Sequence, residues 1–251
     1  MNTLLKPGRI IFATGIIALA ILCFISKEFI VGRPPGWQTG AHQLLGYISG
    51  VLLIIAAVAI LVQKKALVAS MLIAILILFL SVFRHMPHFM ADWLNAYKAM
   101  ALFGGALIVA ASFMNDPLNA NSRNVFVLTG TVLLTIFFIA AGYAHFKFAD
   151  FVKDFIPAYI PFHSFFTYFC GICLIAGGIG LLIPKTRYWA ALLTGIMISG
   201  WFLLLHIPRF VNNTSDASDR MGLCESFAFA GILFILAAIF SNDPFHKSPS
   251  K

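Results

Sequence analysis

Hydrophobic residues in this chain are collected into eight blocks of about twenty residues each, separated by short polar or proline-containing segments. The blocks cover residues 8–26, 44–62, 67–84, 96–114, 124–143, 163–183, 188–206 and 223–241. A helix of about twenty apolar residues is long enough to cross a hydrocarbon core of roughly 30 Å. The pattern therefore predicts an all-α membrane protein with eight transmembrane helices.

Composition excludes an ordinary soluble domain, because 61% of the 251 residues are hydrophobic and only 10% are charged. The net charge of +8 does not indicate nucleic-acid binding, since the basic residues lie in short turns beside the blocks. An even number of spans puts both termini on one side, and the basic residues of that side are Lys6, Arg9, Lys64, Lys65, Arg123, Lys185, Arg187, Lys247 and Lys251. We therefore predict a multi-pass protein of a bacterial inner membrane, with cytoplasmic termini and the lipid bilayer as its surroundings.

An internal duplication is indicated by matching segments 121 residues apart. At this spacing His42 falls on His163, and the phrase His85-Met86-Pro87 falls on His206-Ile207-Pro208. Each copy would contain four helices, and because four is an even number both copies would have the same orientation in the membrane. The predicted organisation is two parallel four-helix repeats, residues 1–120 and 121–251, and the matching phrases are predicted to end corresponding helices.

Histidines are concentrated at one predicted end of the bundle. Six of the seven fall on the side opposite the termini: His42, His85, His88, His145, His163 and His206. Because spans joined by a short turn are antiparallel neighbours, we expect His42 near His85 and His163 near His206. Imidazole at a membrane boundary can hydrogen-bond a quinone carbonyl, move a proton, or ligate a metal or haem. It can equally cap a helix end before proline, so a structural role stays open.

The candidate ligand-binding residues follow from this cluster. Arg84 and Arg209 flank the two His-x-Pro phrases and either hold an anionic ligand or extend to the lipid headgroups. No metal site is predicted, because no two histidines are four residues apart on one helix. The candidates are His42, His85, His145, His163, His206, Arg84 and Arg209, with a quinone as the candidate cofactor.

Two further features have a chemical and a structural interpretation. Cys170 and Cys173 form a Cys-x-x-Cys pair, typical of redox dithiols, but they lie inside an apolar helix where cysteine is also a common packing residue. Lys98 and Glu225 occupy matching positions near the starts of the fourth and eighth spans. Since ionisable groups at membrane depth are costly alone, we expect an ion pair between the repeats, either structural or catalytic.

The second half resembles the DoxX/DoxD-like family of integral membrane proteins. The resemblance rests on "GYAHF" (142–146), "DFIPAYIPFH" (154–163), "GICLIAGGIGLLIPKTRYWAA" (171–191) and "LLLHIPRF" (203–210), within residues 124–241. The family pattern falls on Gly142, His145, Phe146, Pro161, Arg187 and His206. The first half matches more weakly and lacks a counterpart of His145, and a fused tandem departs from the usual single four-helix unit.

The resemblance implies a membrane subunit that serves a partner oxidoreductase, because some DoxD-type relatives belong to a thiosulfate:quinone oxidoreductase. Other relatives are linked to thiol redox maturation or to membrane-protein chaperoning. Two classes of function therefore stay open: a subunit that binds a quinone or another redox ligand, and a non-enzymatic scaffold, assembly factor or transporter. The spans offer few polar residues at the midplane, which disfavours ion transport.

Overall fold

The computed structural model describes residues 3–33, 36 and 41–241, and this part of the chain is all-helical. Eight of its helices are long and apolar enough to cross a membrane, as the hydrophobic blocks predict. Large apolar side chains such as Ile55, Phe79 and Leu193 face outward and are more than half exposed, as expected for a surface in contact with lipid. His246, Lys247 and Lys251, which entered the count of histidines and charges, lie outside the described residues.

The α-helices agree with the blocks to within a few residues at most ends. They are α1 Leu5–Ser26, α2 His42–Leu61, α3 Ala66–His85, α4 Trp93–Ala111, α5 Ala120–Lys147, α6 Ala149–Asp154, α7 His163–Leu182, α8 Arg187–Trp201, α9 Ile207–Asn212 and α10 Ala217–Phe240. Short 3-10 helices cover Met86–His88 and Pro117–Asn119. A π-helix, Phe202–His206, joins α8 to α9 without a break.

The spanning helices pack in a closed ring, in the order α1, α2, α3, α4, α5, α7, α8, α10 and back to α1. Inside the ring α4 also contacts α10, and these two helices are the most buried spans. The order of contacts is the same in the two halves of the chain, which is compatible with a duplication. The duplication itself, and the repeat boundary at residue 120, stay predictions from the sequence.

Small residues bring neighbouring helices close together, as is usual in membrane bundles. A Cβ atom on Gly15 of α1 would lie 2.7 Å from the backbone nitrogen of Ala228 in α10. Between α4 and α5, a Cβ atom on Gly104 would lie 3.0 Å from the Cα atom of Gly130. The two contacts that join the halves of the chain in the ring, α1 with α10 and α4 with α5, are therefore made by close backbone packing.

The two ends of the bundle differ in the length of their loops. We call the end that carries residues 27–33 and 148–162 the distal end, and the end that carries the turn at 62–65 the proximal end. In the turn, Gln63 and Lys65 both have positive φ angles, which reverses the chain within a few residues. The histidines of the sequence analysis lie at the distal end, in or beside the ends of the spans.

Candidate functional site

The distal end of α3 carries a buried charged cluster. Arg84 is only 1% exposed, and its Nη1 atom lies 4.0 Å from Glu28 Oε2 while Nη2 donates to the carbonyl oxygen of Arg33. His85 Nδ1 lies 3.8 Å from Asp92 Oδ2, which also pairs with Arg33 at 3.3 Å. Arg84 and His85, two of the candidate ligand-binding residues, therefore lie against charged groups of the chain itself.

Residues 28–32, which we call the plug, fold back into the distal end beside His85. Its three bulky apolar side chains are at most 2% exposed: Phe29, Ile30 and Val31. Gly32 has a φ of 82°, and a Cβ atom at this position would lie 3.1 Å from His85 Nε2. The backbone of the plug therefore packs directly on the imidazole. The chain itself therefore occupies the space beside His85 Nε2.

An ion pair joins α4 to α10 next to the plug. Lys98 Nζ lies 2.8 Å from Glu225 Oε2, so the structure brings together the two residues for which the sequence predicted a contact. The other carboxylate oxygen accepts the backbone N–H of Gly32 at 2.7 Å. Glu225 is 3% exposed, and both of its oxygens have partners. This arrangement fixes two helices and the plug relative to one another, which favours the structural interpretation of the pair.

The distal end of the second half contains a cavity of about 490 Å³, which we call the distal cavity. It lies between α5, α7, the α8–π-helix segment and the residues around α6, and its lining is mostly apolar. This volume is in the range, roughly 300–1,000 Å³, of pockets that bind small organic ligands. The groups in the lining that can hydrogen-bond through their side chains are His145, Thr167, Cys170, Trp201 and His206.

His145 is held in one orientation by its own helix. Its Nδ1 atom lies 2.8 Å from the carbonyl oxygen of Ala141. A carbonyl oxygen can only accept, so Nδ1 carries the hydrogen and Nε2 of the neutral ring remains an acceptor. A Cβ atom on Gly171 would lie 2.8 Å from His145 Cβ, so the glycine allows α7 to pack closely on this side chain.

Trp201 connects His145 to Cys170 along the cavity wall. The imidazole stacks on the indole with a centroid distance of 6.1 Å and an interplanar angle of 24°. The indole and the Cys170 side chain also line the same cavity. Three helices, α5, α8 and α7, thus place one aromatic or polar group each on the same wall.

The π-helix follows from the position of Pro208 and a contact with a distant loop. Proline has no N–H, so Pro208 cannot donate to the carbonyl oxygen of Leu204 one turn earlier, and its ring would clash there in a regular α-helix. The wider turn of Phe202–His206 avoids this clash, and the Tyr159 hydroxyl donates to the Leu204 carbonyl instead. Single π-turns are frequent at functional sites, and this one lines the distal cavity.

The prediction that both His-x-Pro phrases end helices is therefore wrong for the second phrase. Helix α3 does end at His85, whereas the chain continues through His206 into α9. A Cβ atom on Gly222 would lie 3.0 Å from His206 Nδ1, so one edge of the ring packs against α10. His206 also lines the distal cavity, which makes the environments of His85 and His206 different.

His163 and Arg209 lie beside the distal cavity, in a more polar groove of about 640 Å³. Ile156 lines both spaces. Arg209 Nε lies 2.7 Å from Asp219 Oδ1, and His163 Nε2 lies 3.2 Å from a backbone carbonyl of the loop before α7. The predicted pair of His163 and His206 is thus divided, with His206 in the lining of the cavity and His163 in that of the groove.

The remaining candidates are more scattered. His42 is the first residue of α2 and is half-buried. Cys170 faces the distal cavity, but Cys173 lines a separate apolar groove between α7 and α8, and both are free thiols. Within the described part of the chain, no group of three His, Cys, Asp or Glu residues is arranged to hold a metal ion.

Sequence reasoning missed three residues that shape the distal end: Glu28, Tyr159 and Trp201. Glu28 had a signal, because three consecutive apolar residues follow it in a segment predicted to be a loop. Trp201 lies five residues before the candidate His206, a spacing that does not put the two side chains on one face of an α-helix, so the pattern did not indicate it. For Tyr159 the sequence shows only a hydroxyl in a proline-rich loop, and its partner is 45 residues away.

Comparison with known proteins places the distal cavity in a segment shared with a described family. No match was found among curated proteins or among solved structures. Residues 134–226 match a family model described as a domain of unknown function (DUF8561). The matched segment runs from α5 into α10 and includes His145, Cys170, Trp201 and His206. Over this part of its length, the chain is similar to that family.

Proposed function

We propose that this chain binds a quinone or a similar lipid-soluble redox ligand in the distal cavity and presents it to a partner oxidoreductase. One observation carries the proposal: two imidazoles and an indole line a mostly apolar cavity at the end of helices that are long and apolar enough to span a membrane. A quinone has matching chemistry, with an apolar ring and a few oxygens that hydrogen-bond. The resemblance of this half to the DoxX/DoxD-like family supports the same ligand class. The proposal places the proximal end in the cytoplasm of a bacterium.

The hydrogen-bonding state of His145 favours the reduced form of such a ligand. Its Nδ1 hydrogen is used by the Ala141 carbonyl, which leaves Nε2 to accept a hydrogen bond from a quinol hydroxyl. When the quinol is oxidised it loses two electrons and two protons. In this proposal His145 takes the proton of one hydroxyl, His206 takes the proton of the other, and the partner takes both electrons.

Only the second half would bind the ligand. In the first half the plug packs on His85, and a Cβ atom on Gly46 would lie 2.5 Å from the backbone of Glu28, so α2 leaves little room there. The charges of Arg84 and Glu28 also make that space unsuited to an apolar ring. A stoichiometry of one ligand per chain is therefore expected.

The test is to purify the full chain in mild detergent, extract the bound lipids and quantify quinones. We expect about one quinone or quinol per chain in the wild type. The double variant His145→Leu/His206→Leu should bind an added short-chain quinone roughly tenfold more weakly for each hydrogen bond lost. His88→Leu is the matched control, because His88 is exposed and does not line the distal cavity.

Two outcomes would reject the proposal. One is a wild-type preparation without quinone that also fails to bind an added quinone. The other is a double variant that binds as tightly as the wild type while remaining folded. Either result would favour the alternative role of a membrane scaffold or assembly factor, which requires a stable bundle and no ligand.

A further inference from the structure

The apolar groove that contains Cys173 lies between α7 and α8 and has a volume of about 650 Å³. We call it the α7–α8 groove. It adjoins the distal cavity, because Phe169 of α7 and Met197 of α8 line both spaces. Among the described residues that line the groove, none carries a charge. The distal cavity is therefore followed, in the direction of the proximal end, by an uncharged groove along the same two helices.

The groove extends over much of the height of the bundle. From Phe169 to Gly180 its α7 lining covers eleven residue steps, or about 16 Å of helix. This is more than half of a hydrocarbon core that is roughly 30 Å thick. The groove reaches Thr186 in the turn between the two helices, where the Thr186 hydroxyl donates to the carbonyl oxygen of Gly180. The groove is therefore long enough for an extended chain of many carbon atoms.

Residue size gives the groove its shape. Its floor consists of small residues where the two helices meet, and a Cβ atom on Gly177 of α7 would collide with the Thr194 hydroxyl of α8. Large apolar side chains of the lining stand beside this floor and are about half exposed: Ile179, Trp189 and Leu193. The groove is thus open on the side that faces lipid. This shape matches a flexible hydrocarbon chain better than a ring system.

We propose that the α7–α8 groove holds the hydrocarbon tail of the quinone, so that the ligand class is a membrane quinone with a long isoprenoid tail. This inference rests on the proposed function, because the ring in the distal cavity gives the tail its starting point. With the ring beside His145 and His206, the tail leaves the cavity between Phe169 and Met197 and lies along α7. Lipid tails are as apolar as the groove, so the groove orients the tail and adds little affinity.

The test is photolabelling of the purified full chain in mild detergent, because the position of the tail is what the inference predicts. The probe is a benzoquinone whose decyl tail ends in a diazirine, and labelled residues are identified by peptide mass spectrometry. We expect labelling of the groove lining within residues 176–193. This labelling should be lost when the same decyl quinone without the diazirine is added in excess.

Ala176→Phe fills the middle of the groove from an exposed position. It should abolish the competed labelling of residues 176–193, whereas a benzoquinone without a tail should still quench Trp201 fluorescence as in the wild type. Ile172→Phe is the matched control, because it introduces the same ring one helical turn earlier, at a residue that is 57% exposed and outside the lining of both spaces. The control should be labelled like the wild type.

The outcomes separate this inference from the proposed function. Competed labelling outside the α7–α8 groove, together with binding of the tail-less benzoquinone, would overturn the inference and leave the proposed function standing. Unchanged labelling in Ala176→Phe would do the same. The labelling of the wild type decides the matter if Ala176→Phe does not fold. If neither quinone binds, the proposed function fails and this inference fails with it.

Discussion

Glu225→Gln is expected to destabilise the bundle, because it removes a negative charge from a carboxylate with two partners. Lys98 Nζ and the Gly32 N–H lie 2.8 and 2.7 Å from its oxygens, and Glu225 is 3% exposed. Removing one partner of a fully buried ion pair costs about 3–5 kcal/mol. Glutamine keeps one oxygen that can still accept from Gly32, and the Lys98 side chain is 18% exposed and partly solvated. We therefore expect a loss of about 2–3 kcal/mol.

The free energy of unfolding can be measured in detergent micelles by titration with SDS, followed by circular dichroism. Asp150→Asn is the matched control, because Asp150 also pairs with a lysine, at 2.7 Å, but at the surface of the distal loop. Lys153 lowers the pKa of Asp150 through a hydrogen bond and its charge, yet this exposed pair is solvated, and we expect no measurable change in stability.

A double-mutant cycle separates the pair from other effects. The variant Lys98→Met/Glu225→Met removes both charges and replaces them with apolar groups, so it should be more stable than Glu225→Met alone. Two results would show that the ion pair does not hold α4, α10 and the plug together. One is a free energy of unfolding for Glu225→Gln within about 0.5 kcal/mol of that of the wild type. The other is a double variant that is no more stable than Glu225→Met alone.

Three further predictions concern packing and the π-helix. Gly15→Ala should lower stability by about 1–3 kcal/mol in the same unfolding titration, because its Cβ atom would meet the backbone of α10; an unchanged midpoint would contradict this. Gly222→Ala should displace the His206 ring and weaken quinone binding with little loss of helical content; equal affinity would argue against a role of His206. Tyr159→Phe should accelerate hydrogen exchange of residues 155–162, because the Leu204 carbonyl loses its donor; unchanged exchange would show that this contact does not hold the loop.

Much of the fold follows from the sequence because one strong constraint sets it. Each hydrophobic block must be helical across the membrane, so block lengths locate eight spans to within a few residues. The same reasoning locates the histidines at one end and correctly ends α3 at His85 before Pro87. It is less accurate for helix ends that lie outside the hydrocarbon region. For example, α5 continues to Lys147, four residues beyond its predicted block.

The features that could not be predicted from the sequence depend on contacts between residues far apart in the chain. Pro208 suggests a helix end, but the helix continues past it, because the Tyr159 hydroxyl donates a hydrogen bond to the Leu204 carbonyl that Pro208 cannot reach. The plug is buried although it begins with a charged residue, because Glu28 lies 4.0 Å from Arg84 at the end of α3. Because local patterns predict helices and not their partners, the difference between the filled distal end of the first half and the cavity of the second half appears only in the structure.

The most direct test of the account is the fluorescence of Trp201, because its indole forms part of the wall of the distal cavity. A short-chain quinone titrated into the purified full chain should quench fluorescence saturably, since a bound ring would lie against the indole. The saturable component should disappear in Trp201→Phe and persist in Trp189→Phe, whose indole is on the lipid-facing surface. Quenching that rises without saturation, equally in the wild type and both variants, would contradict the proposal that the distal cavity binds a quinone.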